Sequence, residues 1–160
     1  MKKLILILLL TTFAMQGQTD YKYFSVGSEY AVKPHTNKPI LSILATAGVT
    51  YGYNFVWDIS VNYQYTNLTP KYHSYFAQVQ VIPFTYKGIE FLVGGKYGRV
   101  IRTESQSGTY LLYGGNGEIR YGKKWFVSLM GSYDFRGDIA YWWGEDYWVY
   151  STHIKVGIKI

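Results

Sequence analysis

A chain of 160 residues with 48% hydrophobic and 16% charged residues is too apolar for a disordered segment and too short for more than one ordinary domain. The formal charge of +6 comes from bases spread along the sequence rather than gathered in one cluster, which argues against a nucleic-acid surface; the absence of cysteine excludes a disulfide framework and a cysteine-linked lipid anchor. The 18 Tyr, 5 Trp and 8 Phe suit a sheet whose surface meets an interface.

Residues 1–18, MKKLILILLLTTFAMQGQ, set Lys2 and Lys3 before an apolar run from Leu4 to Ala14, followed by small and polar residues. That order is the pattern of a cleaved secretory signal peptide, and the run is about half the ~20 residues a membrane-spanning helix needs. Cleavage between Ala14 and Gln18 leaves residues 19–160 as one domain, with 14 basic residues against 10 acidic ones once Lys2 and Lys3 are gone.

From there on, alternation with a period of two recurs, and no helical periodicity of useful length interrupts it. The first run puts Phe24, Val26, Tyr30 and Val32 on one face and Ser25, Gly27 and Glu29 on the other. The second opposes Ile43, Ala45, Ala47, Val49, Tyr51 and Tyr53 to Ser42, Thr46, Gly48, Thr50 and Gly52. Trp57, Ile59, Val61, Tyr63 and Tyr65 face away from Asp58, Ser60, Asn62 and Gln64 in the third. The fourth sets Tyr75, Ala77, Val79 and Val81 against Ser74, Gln78 and Gln80, and should end near Pro83. The fifth sets Phe91, Val93, Gly95 and Tyr97 against Glu90, Gly94, Lys96 and Gly98. The sixth sets Leu111, Tyr113, Ile119 and Tyr121 against Gly114, Asn116, Glu118 and Arg120. In the seventh, Trp125, Val127, Leu129, Tyr133 and Phe135 oppose Ser128, Ser132, Asp134 and Arg136. The eighth, HIKVGIKI, opposes Ile154, Val156, Ile158 and Ile160 to His153, Lys155, Gly157 and Lys159.

The connections alternate in length. Short turns fall around Asn54, Lys87–Gly88 and Gly122–Lys124, each flanked by aromatics, and longer segments fall at 33–41, 66–73, 102–109 and 137–147. An eight-stranded antiparallel up-and-down β-barrel requires this order, with both termini at the short-turn end, and each run reaches the roughly 9–11 residues a tilted strand needs to cross a bilayer.

Alternation alone does not say which face is inside, because a soluble barrel of the lipocalin kind turns its apolar face inward and carries an apolar ligand. Here the polar face carries Glu29, Asp58, Glu90, Glu118 and Asp134 with Lys96, Arg102, Arg120, Arg136, Lys155 and Lys159, a nearly matched set, together with several glycines. Matched charges suit a filled polar interior, where a charge persists only if paired, and glycines make room there for long side chains. The expectation is therefore aliphatics toward lipid and a charge network in the lumen, with Arg99 as the one outward base, near the loop end.

The leader, the eight alternating runs and the closing stretch WVYSTHIKVGIKI resemble the small eight-stranded outer-membrane β-barrel proteins of diderm bacteria, the group that includes the barrel domain of outer-membrane protein A and the opacity and X-type proteins. The resemblance spans residues 21–160 and is one of pattern. Members usually close on an aromatic residue read by the barrel-assembly machinery, whereas this chain closes on Ile160. The resemblance implies a transmembrane barrel in the outer membrane, loops extracellular and termini periplasmic. Its expected partners are membrane lipid, lipopolysaccharide, the assembly machinery and a surface ligand or host partner. The chain is expected to be a monomer that binds no nucleic acid and holds no cofactor.

Some barrels of this group modify lipid A, and an enzyme would need a nucleophile, a base and an orienting acid together. Ser151, His153 and Asp134 are the conceivable set, although the His-x-Ser-Asn arrangement of the deacylases is missing. The preferred reading has no catalytic role and places all three in the polar lumen, which side chains fill in a barrel of this size. His35 and His73 fall in expected loops and show no metal-ligand spacing with His153. Residues 136–138 spell RGD, with Arg136 expected inside. The segment IAYWWGEDYW offers Trp142, Trp143, Glu145, Asp146 and Tyr147 as contacts for a ligand or partner, or its tryptophans as an interface girdle.

Overall fold

The computed structural model describes residues 20–31, 42–52, 55–66, 71–103, 107–143 and 147–160. Eight strands form one closed barrel in sequence order: β1 (Tyr21–Ala31), β2 (Ser42–Tyr51), β3 (Val56–Thr66), β4 (Tyr72–Tyr86), β5 (Ile89–Arg102), β6 (Gly108–Tyr121), β7 (Trp125–Arg136) and β8 (Trp148–Lys159). Every neighbouring pair is antiparallel. The last strand closes on the first with Phe24 opposite Ile158 and Ala31 opposite Ser151, so no sheet edge is left open.

The faces follow the alternation. Val26, Ile59, Val61, Val93, Val127, Leu129, Ile154 and Val156 point outward and are about half exposed, whereas Asp58, Gln78, Glu118, Arg120 and Lys155 are buried. The polarity of an ordinary globular protein is thus inverted. Aromatics bracket the aliphatic band. At the turn end stand Tyr51, Phe55, Trp57, Tyr86, Tyr121 and Trp125; at the loop end stand Tyr63, Tyr75, Tyr97, Tyr113, Tyr133, Trp148 and Tyr150. On β7 the two collars are eight residues apart, Trp125 to Tyr133. That is roughly 27 Å along the strand and, at the usual tilt, about 20 Å along the barrel axis, close to the apolar height of transmembrane barrels.

The β4–β5 hairpin turns on Lys87 and Gly88, both with positive φ (49° and 82°), the backbone that a two-residue turn matched to strand twist demands. Three local expectations need correction. β4 does not stop near Pro83 but runs on to Tyr86, because the register slips between Val81 and Phe84 and a bulge accommodates a residue without an amide proton. His73 is not a loop residue: it lies in β4, where Nδ1 is 2.7 Å from the Tyr63 hydroxyl, on the outer wall. The 137–147 segment is not plain loop at its start, since Gly137–Trp143 form a short helix, α1, with Asp138 in its first turn.

Candidate functional site

The lumen is the chemically dense part of the molecule. Six acids, Glu29, Asp58, Glu90, Glu118, Asp134 and Asp138, meet six bases, Lys96, Arg102, Arg120, Arg136, Lys155 and Lys159, all buried or nearly so. They sort into clusters along the axis.

The largest occupies the turn-end half. Arg120, without exposed side-chain surface, reaches Asp58 at 3.1 Å, Glu118 at 3.3 Å and Glu90 at 3.7 Å. Lys155 donates to the second oxygen of Glu118 at 2.6 Å, and Lys159 to Glu90 at 2.6 Å. Tyr23 and Thr50 donate to the two oxygens of Asp58 at 2.7 and 2.8 Å, and Tyr21 donates to Glu90 at 2.6 Å. Three carboxylates and three cations are thereby joined in one network, the condition under which buried charge is tolerated. Inward aromatics complete it. The Arg120 guanidinium lies 4.4 Å from the Tyr23 ring centre and 5.1 Å from that of Phe126, and Lys159 lies 4.3 Å from that of Tyr21.

Above this network, Lys96 pairs with Asp134 at 2.7 Å and lies over the Phe76 ring at 4.9 Å. At the loop end, Arg136 and Arg102 both bind Asp138, their Nε atoms at 2.8 and 2.9 Å, and Arg136 stacks on Tyr72 at 4.4 Å. Glu29 accepts from Gln64, which also donates to Ser42 at 3.0 Å. Leu44, Phe76, Val100, Leu112 and Met130 form an apolar plug beside these groups.

Asp138 shows what the loop-end cluster does. Burial alone would raise its pKa, but the guanidiniums of Arg136 and Arg102 outweigh it and hold the carboxyl at about 2, below its ordinary 3.8. A depressed acid stabilises the fold above its unfolded pKa, and that contribution is lost as pH falls through the folded one. Lowering the pH from 4 to 2 should therefore cost the native chain about 2 kcal/mol more stability than it costs Asp138→Asn, which starts weaker and responds less. Parallel urea titrations at the two pH values measure the difference.

The lumen glycines are demanded by packing. A Cβ on Gly94 would collide with the backbone of Val79 and Gln80, one on Gly48 with the Tyr23 ring, and one on Gly157 with the Phe126 ring. The outward Gly131 meets nothing. Gly94→Ala should destabilise by about 1–3 kcal/mol through overpacking, whereas Gly131→Ala should stabilise by about 0.5–1 kcal/mol through reduced backbone freedom in the unfolded chain. Denaturant midpoints of the two variants check the contrast.

The conceivable catalytic set, Ser151, His153 and Asp134, is close in space but differently wired. Asp134 connects to Ser151 through Ser132, which donates to Asp134 at 2.8 Å and shares a 2.8 Å hydrogen bond with Ser151. Both His153 ring nitrogens lack a protein partner among the described residues, so no hydrogen bond couples the imidazole to Ser151 or to Asp134. Among the described residues no group of His, Asp and Glu has metal-site geometry. The RGD tripeptide has its Arg136 and Asp138 side chains buried and paired to each other, leaving neither free to reach another molecule. Of the loop contact set, Glu145 and Asp146 lie outside the described residues, as do the side chains of Trp142 and Trp143. Tyr147 is described, and its carbonyl accepts from the Arg136 amide at 2.9 Å, tying the returning chain to β7.

Sequence reasoning missed the inward aromatics Tyr23, Tyr72, Phe76 and Phe126, and it missed Asp138. The available signal was register: each of the four aromatics is two residues from a polar lumen residue, Ser25, Ser74, Gln78 or Ser128.

No protein-family model and no curated protein matches the sequence. Among solved structures, the chain is similar to the Yersinia pestis outer membrane protein Ail in a phospholipid bilayer nanodisc, at 14% identity over 89% of this chain and 100% of that one, with a TM-score of 0.48. It is also similar to a de novo designed transmembrane β-barrel, at 14% identity over 91% of this chain and 98% of that one, with a TM-score of 0.48.

Proposed function

We propose that this chain is a monomeric outer-membrane β-barrel whose charge-paired interior acts as a plug and whose long connections, chiefly the last, carry a structural or recognition role at the cell surface. The observation that supports this is the inverted polarity. Aliphatics at the level of Leu129 and Ile154 stand half exposed between two aromatic collars, while Arg120 and Asp58 are fully buried. Such an exterior would aggregate in water and is satisfied in lipid. A soluble barrel carrying an apolar ligand would need the reverse, and this interior holds six ion-paired cations instead. The recognition surface on this reading is the 137–147 connection, with Trp142, Trp143, Glu145, Asp146 and Tyr147 as its contact residues.

Cell fractionation tests location, and protease treatment of intact cells tests topology. The protein should sediment with the outer membrane, migrate faster on gels before boiling than after, and be nicked from outside within residues 137–147. Recovery in the soluble periplasmic fraction, with no effect of boiling on mobility, would overturn the proposal.

A further inference from the structure

The turn end carries an unbalanced charge that neither the lumen network nor the loops use. Lys87 stands in the β4–β5 turn, Lys123 and Lys124 stand in the β6–β7 turn, and Lys22 opens β1 on the same rim, all four exposed. None makes an ion pair among the described residues.

Backbone hydrogen bonds make them neighbours. Lys22 and Ile160 exchange a pair at 3.2 and 2.7 Å, the Lys159 amide donates to the Lys124 carbonyl at 2.8 Å, and the Gly122 amide donates to the Gly88 carbonyl at 3.3 Å. The rim from β1 through β8, β7 and β6 to the β4–β5 turn is thus one basic arc. The Asp20 carboxylate, which accepts from the Gly52 amide at 3.3 Å, offsets one of the four charges, and the arc stays positive.

Its height is set by the collar beside it. Tyr86, Tyr121 and Trp125 are 60–66% exposed on the outward face next to these lysines, and the Lys87 ammonium lies 5.2 Å from the Tyr86 ring centre. Tyr and Trp mark the boundary between hydrocarbon and head groups, and a lysine stem can lie along that boundary with its ammonium at the phosphate level.

We propose that this arc docks the phosphates of anionic phospholipids in the leaflet at the turn end. The docking surface rests on the membrane-barrel reading above. Neighbouring ammoniums act together on one or two head groups, and because they are exposed, their attraction is screened over about 10 Å at 0.1 M salt. Elsewhere on the described outer surface only Lys71 and Arg99 are exposed cations, both toward the loop end. The preference should therefore belong to one leaflet.

Electron spin resonance of the whole protein in phosphatidylcholine vesicles, doped with spin-labelled phosphatidylglycerol or phosphatidylcholine, measures the relative association constant of each lipid at the protein perimeter. Phosphatidylglycerol should be favoured about fivefold at low ionic strength, falling toward parity in 1 M salt. Lys22→Gln/Lys87→Gln/Lys123→Gln/Lys124→Gln should abolish the preference, and Lys71→Gln/Arg99→Gln should leave it. The salt arm needs no variant, and gel mobility before boiling reports that each variant is folded. A preference kept by the quadruple variant, lost in the loop-end double variant, or absent from an inserted wild-type chain overturns the docking surface alone. A chain that enters no vesicle overturns the membrane reading and the docking surface with it.

Discussion

Arg120→Met should destabilise the folded barrel by about 3–5 kcal/mol, the usual cost of removing one partner from a buried charge network. Methionine keeps most of the volume between Tyr23 and Phe126, so the loss reports charge rather than packing. What remains is Asp58 with only Tyr23 and Thr50 as donors, and Glu118 and Glu90 each left with a lysine. Adding Asp58→Asn should restore part of the loss, because one unpaired buried carboxylate is then gone and the two positions are in direct contact. Urea unfolding of vesicle-embedded protein measures both variants. A loss under about 1 kcal/mol would mean that water already solvates this cluster and that the interior is not a plug of paired charge.

Leu129→Arg should cost about 2–4 kcal/mol in a bilayer, because Leu129, opposite Ile154 on β8, lies midway between the two collars on the outward face. The same change at Trp125, in the turn-end collar, should cost about 0–1 kcal/mol beyond the lost aromatic, since a guanidinium there reaches head groups. This depth dependence separates lipid from water as the outer solvent. In water an outward arginine at position 129 would be harmless and would improve solubility, so equal stability of the two variants would contradict a membrane-facing wall.

Strand number, face assignment and the closing pair of strands were legible because one physical rule governs all eight runs: successive side chains alternate sides, and a closed sheet has only two sides to offer. The pairing of β8 with β1 near Phe24 to Tyr30 follows from that rule once the order is up-and-down. Three features were illegible for identifiable reasons. Phe126 and Tyr23 hold inward register, but only the folded barrel sets both rings against Arg120, Tyr23 from across the lumen and about a hundred positions away. Asp138 reads as a loop acid, and only the turn of α1 brings it back between Arg102 and Arg136. Pro83 reads as a terminator because a regular ladder has no place for it, and a bulge is a local solution that alternation does not encode. The Ser132 bridge between Asp134 and Ser151 belongs to the same class: side-chain wiring depends on rotamers, and strand spacing sets only who is near.

The central claim, that lipid covers the aliphatic face, is tested most directly by nuclear Overhauser contacts between bilayer acyl chains and side-chain methyl groups in the reconstituted protein. Methyls of Val61, Val127, Leu129, Ile154 and Val156 should show contacts to acyl methylenes, and those of Leu44, Val56 and Val100, buried in the lumen, should show none. Contacts to water at the first set, with lipid or ligand contacts at the second, would contradict the account.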